Sequence, residues 1–317
     1  MKILVTGCAG FIGANFCEYW LKNYQDDILI GVDCLTYAAN LVALEGLKSN
    51  DRFVFYKENI CDFKAIDKIF SSEIPDIVVN FAAESHVDRS IADSGIFVKT
   101  NVMGTQVLLD ASLKYSVKRF HQISTDEVYG DLPFDSEERF DEHSSLHPSS
   151  PYSASKAAAD LLTLSYYKTH GLPVTISRSA NNYGKYQHEE KLVPKVVAYA
   201  KRNEPMPIYG TGLNVRNWLY VDDHARAVDL ILKNGKVGEV YNVGAEIYLT
   251  NLQMIETILA YMDKPRDFVV FTEDRKGHDR RYALNCDKLR SEVGWSPEAS
   301  FDETIKSTVD WYKQHTK

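Results

Sequence analysis

The chain has 317 residues, of which 44% are hydrophobic and 25% charged, and its formal net charge is -8. This length exceeds what one hydrophobic core usually needs and suits two lobes. The mildly acidic balance excludes a general attraction to nucleic acid or to an anionic membrane surface, so any phosphate must be bound locally.

Apolar strands alternate with helical patterns through the first part of the chain. The predicted strands are 2–6, 28–33, 52–58, 76–82, 119–124 and 174–178, and the predicted helices between them are 11–24, 63–71, 95–115 and 153–169. Strands that are apolar throughout and separated by helices are typical of a parallel sheet covered on both faces. The pattern therefore predicts an α/β fold with a Rossmann-type, doubly wound parallel sheet.

The pattern changes after Arg178. Loops lengthen, prolines and glycines crowd residues 194–212, and helical patterns follow at 192–201, 223–233, 251–262 and 302–315. We interpret this part as a smaller, mixed α/β lobe that binds the substrate. Because 218–221 and the helix after them can return to the first lobe, the expected domains are 1–178 plus about 218–243, and 179–217 plus 244–317.

A glycine-rich turn follows the first predicted strand directly and opens the first helix. Gly7, Gly10 and Gly13 allow a tight turn, close packing of helix on strand, and the approach of backbone N–H groups to a pyrophosphate. The second strand ends at Asp33, whose carboxylate can accept both ribose hydroxyls and would repel a 2′-phosphate. The turn predicts NAD as the cofactor; the alternative is a merely tight strand-to-helix turn.

Two clusters carry candidate catalytic groups. Tyr152 and Lys156 lie one turn apart on one face of a predicted helix, where the ammonium stabilises a phenolate that can act as a base. Thr125, Asp126 and Glu127 follow a buried strand at its carboxyl end, where open α/β sheets bind ligands. Thr125 is a candidate to hold a substrate hydroxyl, and two carboxylates in different environments can divide acid and base roles. The alternatives are a surface Tyr–Lys pair and a solvated acidic turn.

These features and several others, taken in chain order, resemble one family. The shared segments are the turn at Gly7, 80–90, 124–130, Tyr152 with Lys156, 181–184, 214–218 and 277–282. Over nearly the whole chain they are similar to those of the nucleotide-sugar 4,6-dehydratases, in the extended short-chain dehydrogenase/reductase superfamily. The acidic pair after Thr125 is the specific part, because related epimerases and decarboxylases share the glycines and the Tyr–Lys pair but generally lack it.

The resemblance implies a lyase that keeps NAD bound and regenerates it in each turnover. By similarity, Tyr152 removes the proton of the sugar 4-hydroxyl as hydride leaves C4, while Lys156 lowers the proton affinity of the phenol and holds the nicotinamide ribose. Glu127 then removes the C5 proton, Asp126 protonates the departing 6-hydroxyl, and the hydride returns to C6. The implied substrate is dTDP-D-glucose, and the implied products are dTDP-4-keto-6-deoxy-D-glucose and water.

The resemblance also implies which residues contact the two ligands. The cofactor contacts are Gly7, Gly10, Phe11, Ile12, Gly13, Asp33, Cys34, Leu35, Thr36, Asn59, Ile60, Phe81, Ala82, Ala83, Glu84, Ser85, Thr100, Tyr152, Lys156 and Asn182. The substrate contacts are Ser85, Thr125, Asn181, Lys191, Leu192, Pro207, Ile208, Tyr209, Arg216, Asn251, Arg275 and His278. Arg216 suits a pyrophosphate because its planar fork binds oxygens bidentately, and Tyr209 suits stacking on the base. A surface ion pair and ordinary core packing are the alternatives for these two.

Several positions depart from the family pattern on the sugar–nucleotide side. They are Asn59, Lys185, His188, Glu189, Asn217 and Lys276, together with a shorter loop between Gly130 and Tyr152. The base and the exact sugar therefore stay open. The alternatives are a UDP- or CDP-sugar 4,6-dehydratase, a 4-epimerase on the same fold, and, from another class, a non-catalytic NAD-binding scaffold.

The predicted helices 95–115 and 153–169 are apolar over more than one face. The pattern leaves open whether both are sandwiched in the core or whether a second subunit covers the extra face. The resemblance favours the second, because members of this family pair two helices of each subunit in a four-helix interface. We therefore expect a homodimer.

The cysteines and the remaining apolar stretches bear on the setting of the protein. The five cysteines are scattered and lack C-x-x-C spacing, which argues against a disulfide framework or a metal site and favours a reducing cytoplasm. No stretch approaches the roughly 20 apolar residues of a membrane span, and no signal-peptide pattern follows Met1. We expect a nucleotide-sugar substrate and neither a nucleic-acid nor a membrane partner.

Overall fold

The computed structural model describes residues 1–315. The strands are β1 (Lys2–Thr6), β2 (Ile28–Val32), β3 (Phe53–Tyr56), β4 (Ile77–Asn80), β5 (Arg119–Thr125), β6 (Val174–Ser179), β7 (Asn181–Tyr183), β8 (Met206–Tyr209), β9 (Val215–Tyr220), β10 (Glu239–Val243), β11 (Tyr248–Thr250) and β12 (Val269–Thr272). The helices are α1 (Phe11–Asn23), α2 (Leu41–Lys48), α3 (Phe63–Glu73), α4 (Val87–Ala92), α5 (Gly95–Phe97), α6 (Thr105–Lys114), α7 (Pro151–His170), α8 (Leu192–Arg202), α9 (Val221–Asn234), α10 (Asn251–Tyr261) and α11 (Phe301–His315).

Seven parallel strands form one sheet in the order β10-β6-β5-β4-β1-β2-β3. Because successive side chains of a strand point to opposite faces, Ile3 and Val5 join the core under α1, α2 and α9, whereas Leu4 joins the core under α3, α6 and α7. Both faces of the sheet are therefore covered. The predicted doubly wound, Rossmann-type sheet is confirmed.

The predicted helix 95–115 is one continuous helical rod that changes its pitch. α5 leads into a π-helical segment, Val98–Gly104, and α6 continues from it with helical dihedral angles throughout. The wider turn contains Asn101, whose carboxamide nitrogen donates to the Glu84 carbonyl at 3.0 Å and to the Ser155 hydroxyl at 2.8 Å. The π-helical segment thereby ties the rod to α7.

The second lobe contains a three-stranded sheet, β11-β9-β7, and a two-stranded sheet, β12-β8. They share a core with α8, α10 and α11. Within the segment expected to return to the first lobe, Trp218 and Tyr220 pair with β7 in the small sheet. The chain returns to the first lobe through α9, whose Val228 joins the core around α1, and through β10, which pairs with β6. Within the described residues, no helix has the length and apolar character of a membrane span.

Candidate active site

A cleft of about 350 Å³ runs along the carboxyl ends of the parallel strands. It is bounded by the ends of β1, β2, β4, β5 and β6 and by the first turns of α1 and α7. Strand order reverses beside β1, which lies between β2 and β4. Ligands of open α/β sheets bind at this edge and at this reversal, so the fold itself points to the cleft.

Almost every predicted cofactor residue lines this cleft. They are Gly7, Gly10, Phe11, Ile12, Gly13, Asp33, Cys34, Thr36, Asn59, Ile60, Phe81, Ala82, Ala83, Glu84, Ser85, Thr100, Tyr152, Lys156 and Asn182. Leu35 is not among the lining residues; its backbone N–H donates to the Asp33 carboxylate at 2.8 Å. The cleft also brings in Thr125, Asp126, Glu127, Asn181 and Lys191 from the predicted catalytic and substrate residues.

The glycine turn packs the start of α1 against the sheet so closely that a Cβ atom on Gly7 or Gly13 would overlap backbone atoms. Gly7 has a φ of +67°, and a Cβ on it would lie 2.7 Å from the Ala82 nitrogen. A Cβ on Gly13 would lie 2.2 Å from the Gly7 carbonyl oxygen. The helix N-terminus therefore opens onto the cleft with bare backbone N–H groups, an arrangement that fits a pyrophosphate.

Asp33 lies where β2 ends and is held by two backbone groups. Its Oδ2 accepts from the Ala9 N–H at 3.0 Å and its Oδ1 accepts from the Leu35 N–H at 2.8 Å. Burial raises the pKa of this carboxyl, and the two backbone hydrogen bonds oppose the rise. The carboxylate thus braces the glycine turn while lining the cleft, where its free lone pairs suit ribose hydroxyls.

The start of α7 aims Tyr152 and Lys156 into the cleft. Ser150 caps the helix by accepting from the Ser153 N–H at 3.1 Å, and Pro151 occupies the first turn. The Lys156 ammonium donates to the Ile123 carbonyl at 2.6 Å, and burial lowers its pKa to about 8. Burial raises the pKa of Tyr152, and this phenol is the group that must lose its proton to act as a base.

A single turn of 3₁₀ helix, Asp126–Tyr129, follows β5 and carries the acidic pair. The Thr125 hydroxyl caps this turn by accepting from the Glu127 N–H at 3.2 Å, and it also hydrogen-bonds the Tyr152 phenol. Asp126 is buried, and its Oδ2 has no hydrogen-bond partner within residues 1–315. The turn thus places two carboxylates and a phenol around one small volume.

The two carboxylates have different environments. Burial, and after it the charge of Glu127, raises the pKa of Asp126 to about 8. Burial also raises the pKa of Glu127, but the cations Arg216, Arg275 and Lys191 oppose that rise. At neutral pH, a pKa of about 8 keeps Asp126 protonated, whereas the three cations favour the ionised form of Glu127.

The remaining predicted substrate residues lie outside this cleft. They are Leu192, Pro207, Ile208, Tyr209, Arg216, Asn251, Arg275 and His278. The Arg275 guanidinium faces Asp88 at 3.6 Å, and the Tyr209 hydroxyl donates to the same carboxylate at 3.2 Å. The Arg216 guanidinium lies 4.3 Å from the centre of the Tyr282 ring. Ile208 has its side chain in the core of the second lobe, which leaves only its backbone for a ligand.

Sequence reasoning missed the residues that close the cleft from the second lobe. Gln187, His188 and Glu190 line it from the loop between β7 and α8. Glu190 accepts from the Tyr37 hydroxyl at 3.2 Å and lies 3.7 Å from His86. Tyr37, His86 and Glu190 lie too far apart in the chain for a spacing pattern to connect them. In the sequence, this loop is marked only by its departures from the family pattern at Lys185, His188 and Glu189.

Comparison with known proteins gives consistent matches over the whole chain. Residues 4–308 match the family model described as GDP-mannose 4,6 dehydratase. The dTDP-glucose 4,6-dehydratase of Haemophilus influenzae is 47% identical, with 98% of each chain covered. The low-salt glycan biosynthesis protein Agl12 of Haloferax volcanii is also 47% identical, again with 98% of each covered. The solved structure of DesIV from Streptomyces venezuelae, a dTDP-glucose 4,6-dehydratase with NAD and dTDP bound, is 42% identical with a TM-score of 0.95, covering 99% of this chain and 97% of that one.

Proposed function

The chain belongs to the GDP-mannose 4,6 dehydratase family, and within it we propose that the protein is an NAD-dependent dTDP-glucose 4,6-dehydratase. It converts dTDP-D-glucose to dTDP-4-keto-6-deoxy-D-glucose and water. The observation that carries this function is the Asp126–Glu127 pair beside Tyr152, with Asp126 buried and Glu127 half-buried in the wall of the cleft. A 4-epimerase oxidises and reduces one carbon and has no use for a second acid–base pair, whereas elimination of water across C5 and C6 requires one.

The residues of the cleft fit NAD. The glycine turn and the N-terminus of α1 hold the pyrophosphate, and Asp33 holds the hydroxyls of the adenosine ribose. When bound, NAD accepts a hydride from C4 of the sugar and returns it to C6. Lys156, in the first turns of α7, holds the nicotinamide ribose and keeps a positive charge beside the phenol.

Tyr152 removes the proton of the sugar 4-hydroxyl. The phenolate that this requires is disfavoured by burial and by the charge of Glu127, and it is favoured by the hydrogen bond from Thr125. The Lys156 ammonium adds to that stabilisation. Thr125 thus orients the base and contacts the sugar at the same carbon.

Glu127 and Asp126 then divide the elimination. The 4-keto group acidifies the C5 proton, which Glu127 removes because three nearby cations favour its ionised form. Asp126 retains a proton near neutral pH and gives it to the departing 6-hydroxyl. The different environments of the two carboxyl groups support this assignment, because burial raises the pKa of both but three cations oppose the rise at Glu127 and one at Asp126.

Incubation with dTDP-glucose and mass spectrometry of the product tests the function. Loss of one water supports the dehydratase. An unchanged mass with altered stereochemistry at C4 supports a 4-epimerase, and absence of turnover with dTDP-, UDP- and CDP-glucose supports a scaffold. The turnover rates with dTDP-, UDP- and CDP-glucose at equal concentration show which base the enzyme prefers, and the Tyr152→Phe variant serves as the inactive control.

We also propose a homodimer formed through the rod 95–115 and α7. Val98 and Met103 on the rod are 50% and 55% exposed, and Leu161 on α7 is 60% exposed, so apolar side chains face outward from two neighbouring helices. Such a surface supports a four-helix interface with a second copy. Sedimentation velocity of the holoprotein should give a dimer, and Leu161→Glu should give a monomer. A monomeric parent protein would contradict the proposal.

Two further expectations from the sequence stand as proposals. We propose that residues 1–178 with about 218–243 bind NAD and that 179–217 with 244–317 bind the nucleotide sugar, supported by the return of α9 and β10 to the large sheet. We propose a cytoplasmic setting, supported by the free thiols of all five cysteines.

A further inference from the structure

A buried ion pair lies behind the catalytic face of α7. Asp160 follows Lys156 by one helical turn, and its Oδ2 accepts from Arg178 Nε of β6 at 2.9 Å. The two side chains are 0% and 4% exposed. The second carboxylate oxygen, Oδ1, is also buried and has no hydrogen-bond partner among residues 1–315.

The same guanidinium reaches the turn that carries the acidic pair. Arg178 Nη1 donates to the Tyr129 hydroxyl at 2.9 Å, and that hydroxyl donates to the Asn242 side chain at 2.8 Å. The Arg178 guanidinium also lies 4.9 Å from the centre of the Tyr129 ring. Because Tyr129 ends the turn that begins with Asp126, Arg178 connects α7 to the acidic turn.

The pair is difficult to explain by stability alone. Desolvation of two charges consumes most of their attraction, so a buried ion pair is often no more stable than well-packed apolar residues. Its position suggests an electrostatic role instead. Asp160 is the acidic group that raises the pKa of Lys156, against the burial that lowers it to about 8.

We propose that Asp160, held in place by Arg178, is a positioning residue whose carboxylate keeps the Lys156 ammonium protonated, so that Lys156 can stabilise the Tyr152 phenolate. This inference rests on the proposed function of the Tyr152–Lys156 pair. The charge of Asp160 acts through Lys156 and does not touch the sugar.

Other ionisable groups surround Lys156 and must be considered with it. Tyr152 lies on the same helix, Asp126 and Glu127 line the same cleft from the turn after β5, and Arg178 lies behind Asp160 on β6. Removal of the Asp160 charge should make Lys156 lose its proton at lower pH. The alkaline limb of the pH profile of C4 oxidation, a step that does not use the Asp126 proton and is followed by the absorbance of the reduced cofactor, should therefore move down by about one pH unit.

The test compares Asp160→Asn with the parent holoenzyme. The rate of C4 oxidation by the variant should be close to that of the parent at about pH 6 and fall about tenfold below it at about pH 9, as a one-unit shift requires. The matched control is Asp229→Asn on α9, which also removes a buried carboxylate bonded to tyrosine hydroxyls but does not line the cleft. That control should leave the alkaline limb in place.

A double-mutant cycle shows whether the charge acts through the lysine. In a Lys156→Arg background the guanidinium stays protonated without help, so adding D160N should leave the limb unmoved. Because D160N leaves the Arg178 charge unpaired, the double variant D160N/R178Q, which removes both charges, separates the two contributions, and its alkaline limb should move less than that of D160N. A D160N limb that matches the parent, with only the melting temperature lowered, would overturn the proposal. Absence of dehydration by the parent itself would instead refute the proposed function.

Discussion

Replacement of Asp126 by asparagine separates the role of its proton from the role of its shape. With a pKa of about 8, the carboxyl is about nine-tenths protonated at pH 7 and about one-tenth protonated at pH 9. An ordinary aspartate would carry almost no proton at either pH. The carboxamide of the variant would be neutral and nearly isosteric, but it cannot protonate a leaving hydroxyl.

We expect Asp126→Asn to lower kcat for dehydration by about 10²- to 10⁴-fold, the usual contribution of a general acid. C4 oxidation needs only Tyr152 and Lys156, so reduced nicotinamide should accumulate in the variant and be visible by its absorbance. The parent should show the same accumulation as the pH rises through about 8. A variant that dehydrates at the parent rate would refute the assignment of Asp126 as the acid.

The same pKa predicts how stability depends on pH. The folded protein binds the Asp126 proton more tightly than the unfolded chain does, so this contribution is complete below the ordinary aspartate pKa and is lost as the pH rises to about 8. The loss approaches about 1.4 kcal/mol per pH unit within that window. Urea unfolding of the parent and of Asp126→Asn between pH 5 and pH 8 should give the flatter dependence in the variant.

Further substitutions test the other groups of the site. Glu127→Gln should oxidise C4 and then stall, because the C5 proton has no acceptor, whereas Tyr152→Phe should lose even the oxidation of C4. Stopped-flow absorbance of the cofactor distinguishes the two variants. Normal dehydration by Glu127→Gln would exclude Glu127 as the C5 base. Gly13→Ala should be purified with little NAD, because its Cβ meets the Gly7 carbonyl at 2.2 Å. Gly46→Ala, which meets nothing within 4 Å, is the control and should retain its full content of NAD.

The parts of the fold that local patterns encode were predictable. Buried strands such as Lys2–Thr6 and Ile28–Val32 are largely apolar runs that the sequence displays directly. The short strands Asn181–Tyr183 and Tyr248–Thr250 are polar or half-buried and exist only because the neighbouring strand Val215–Tyr220 pairs with both. Their pairing depends on long-range contacts, which no window of the sequence contains.

The candidate site likewise contains residues that local patterns predict and residues that only long-range packing brings together. The residues at strand ends and in the first turns of α1 and α7 were predictable, because parallel topology gathers them at one edge. The π-helical turn that directs Asn101 toward Ser155 was not, since an apolar helical pattern continues through it. The contact between Asp160 and Arg178 was equally hidden, because a buried charge pair is defined by the packing of a helix on a strand.

The most direct test of the central claim follows one hydrogen through the reaction. dTDP-glucose carrying deuterium at C4 is incubated with the holoprotein, and the product is analysed by mass spectrometry and NMR. We expect a product that has lost one water and carries the deuterium at C6, because the hydride removed from C4 is returned within the same cleft. Deuterium that remains at C4 of a product of unchanged mass, or that is lost to solvent, would contradict this mechanism.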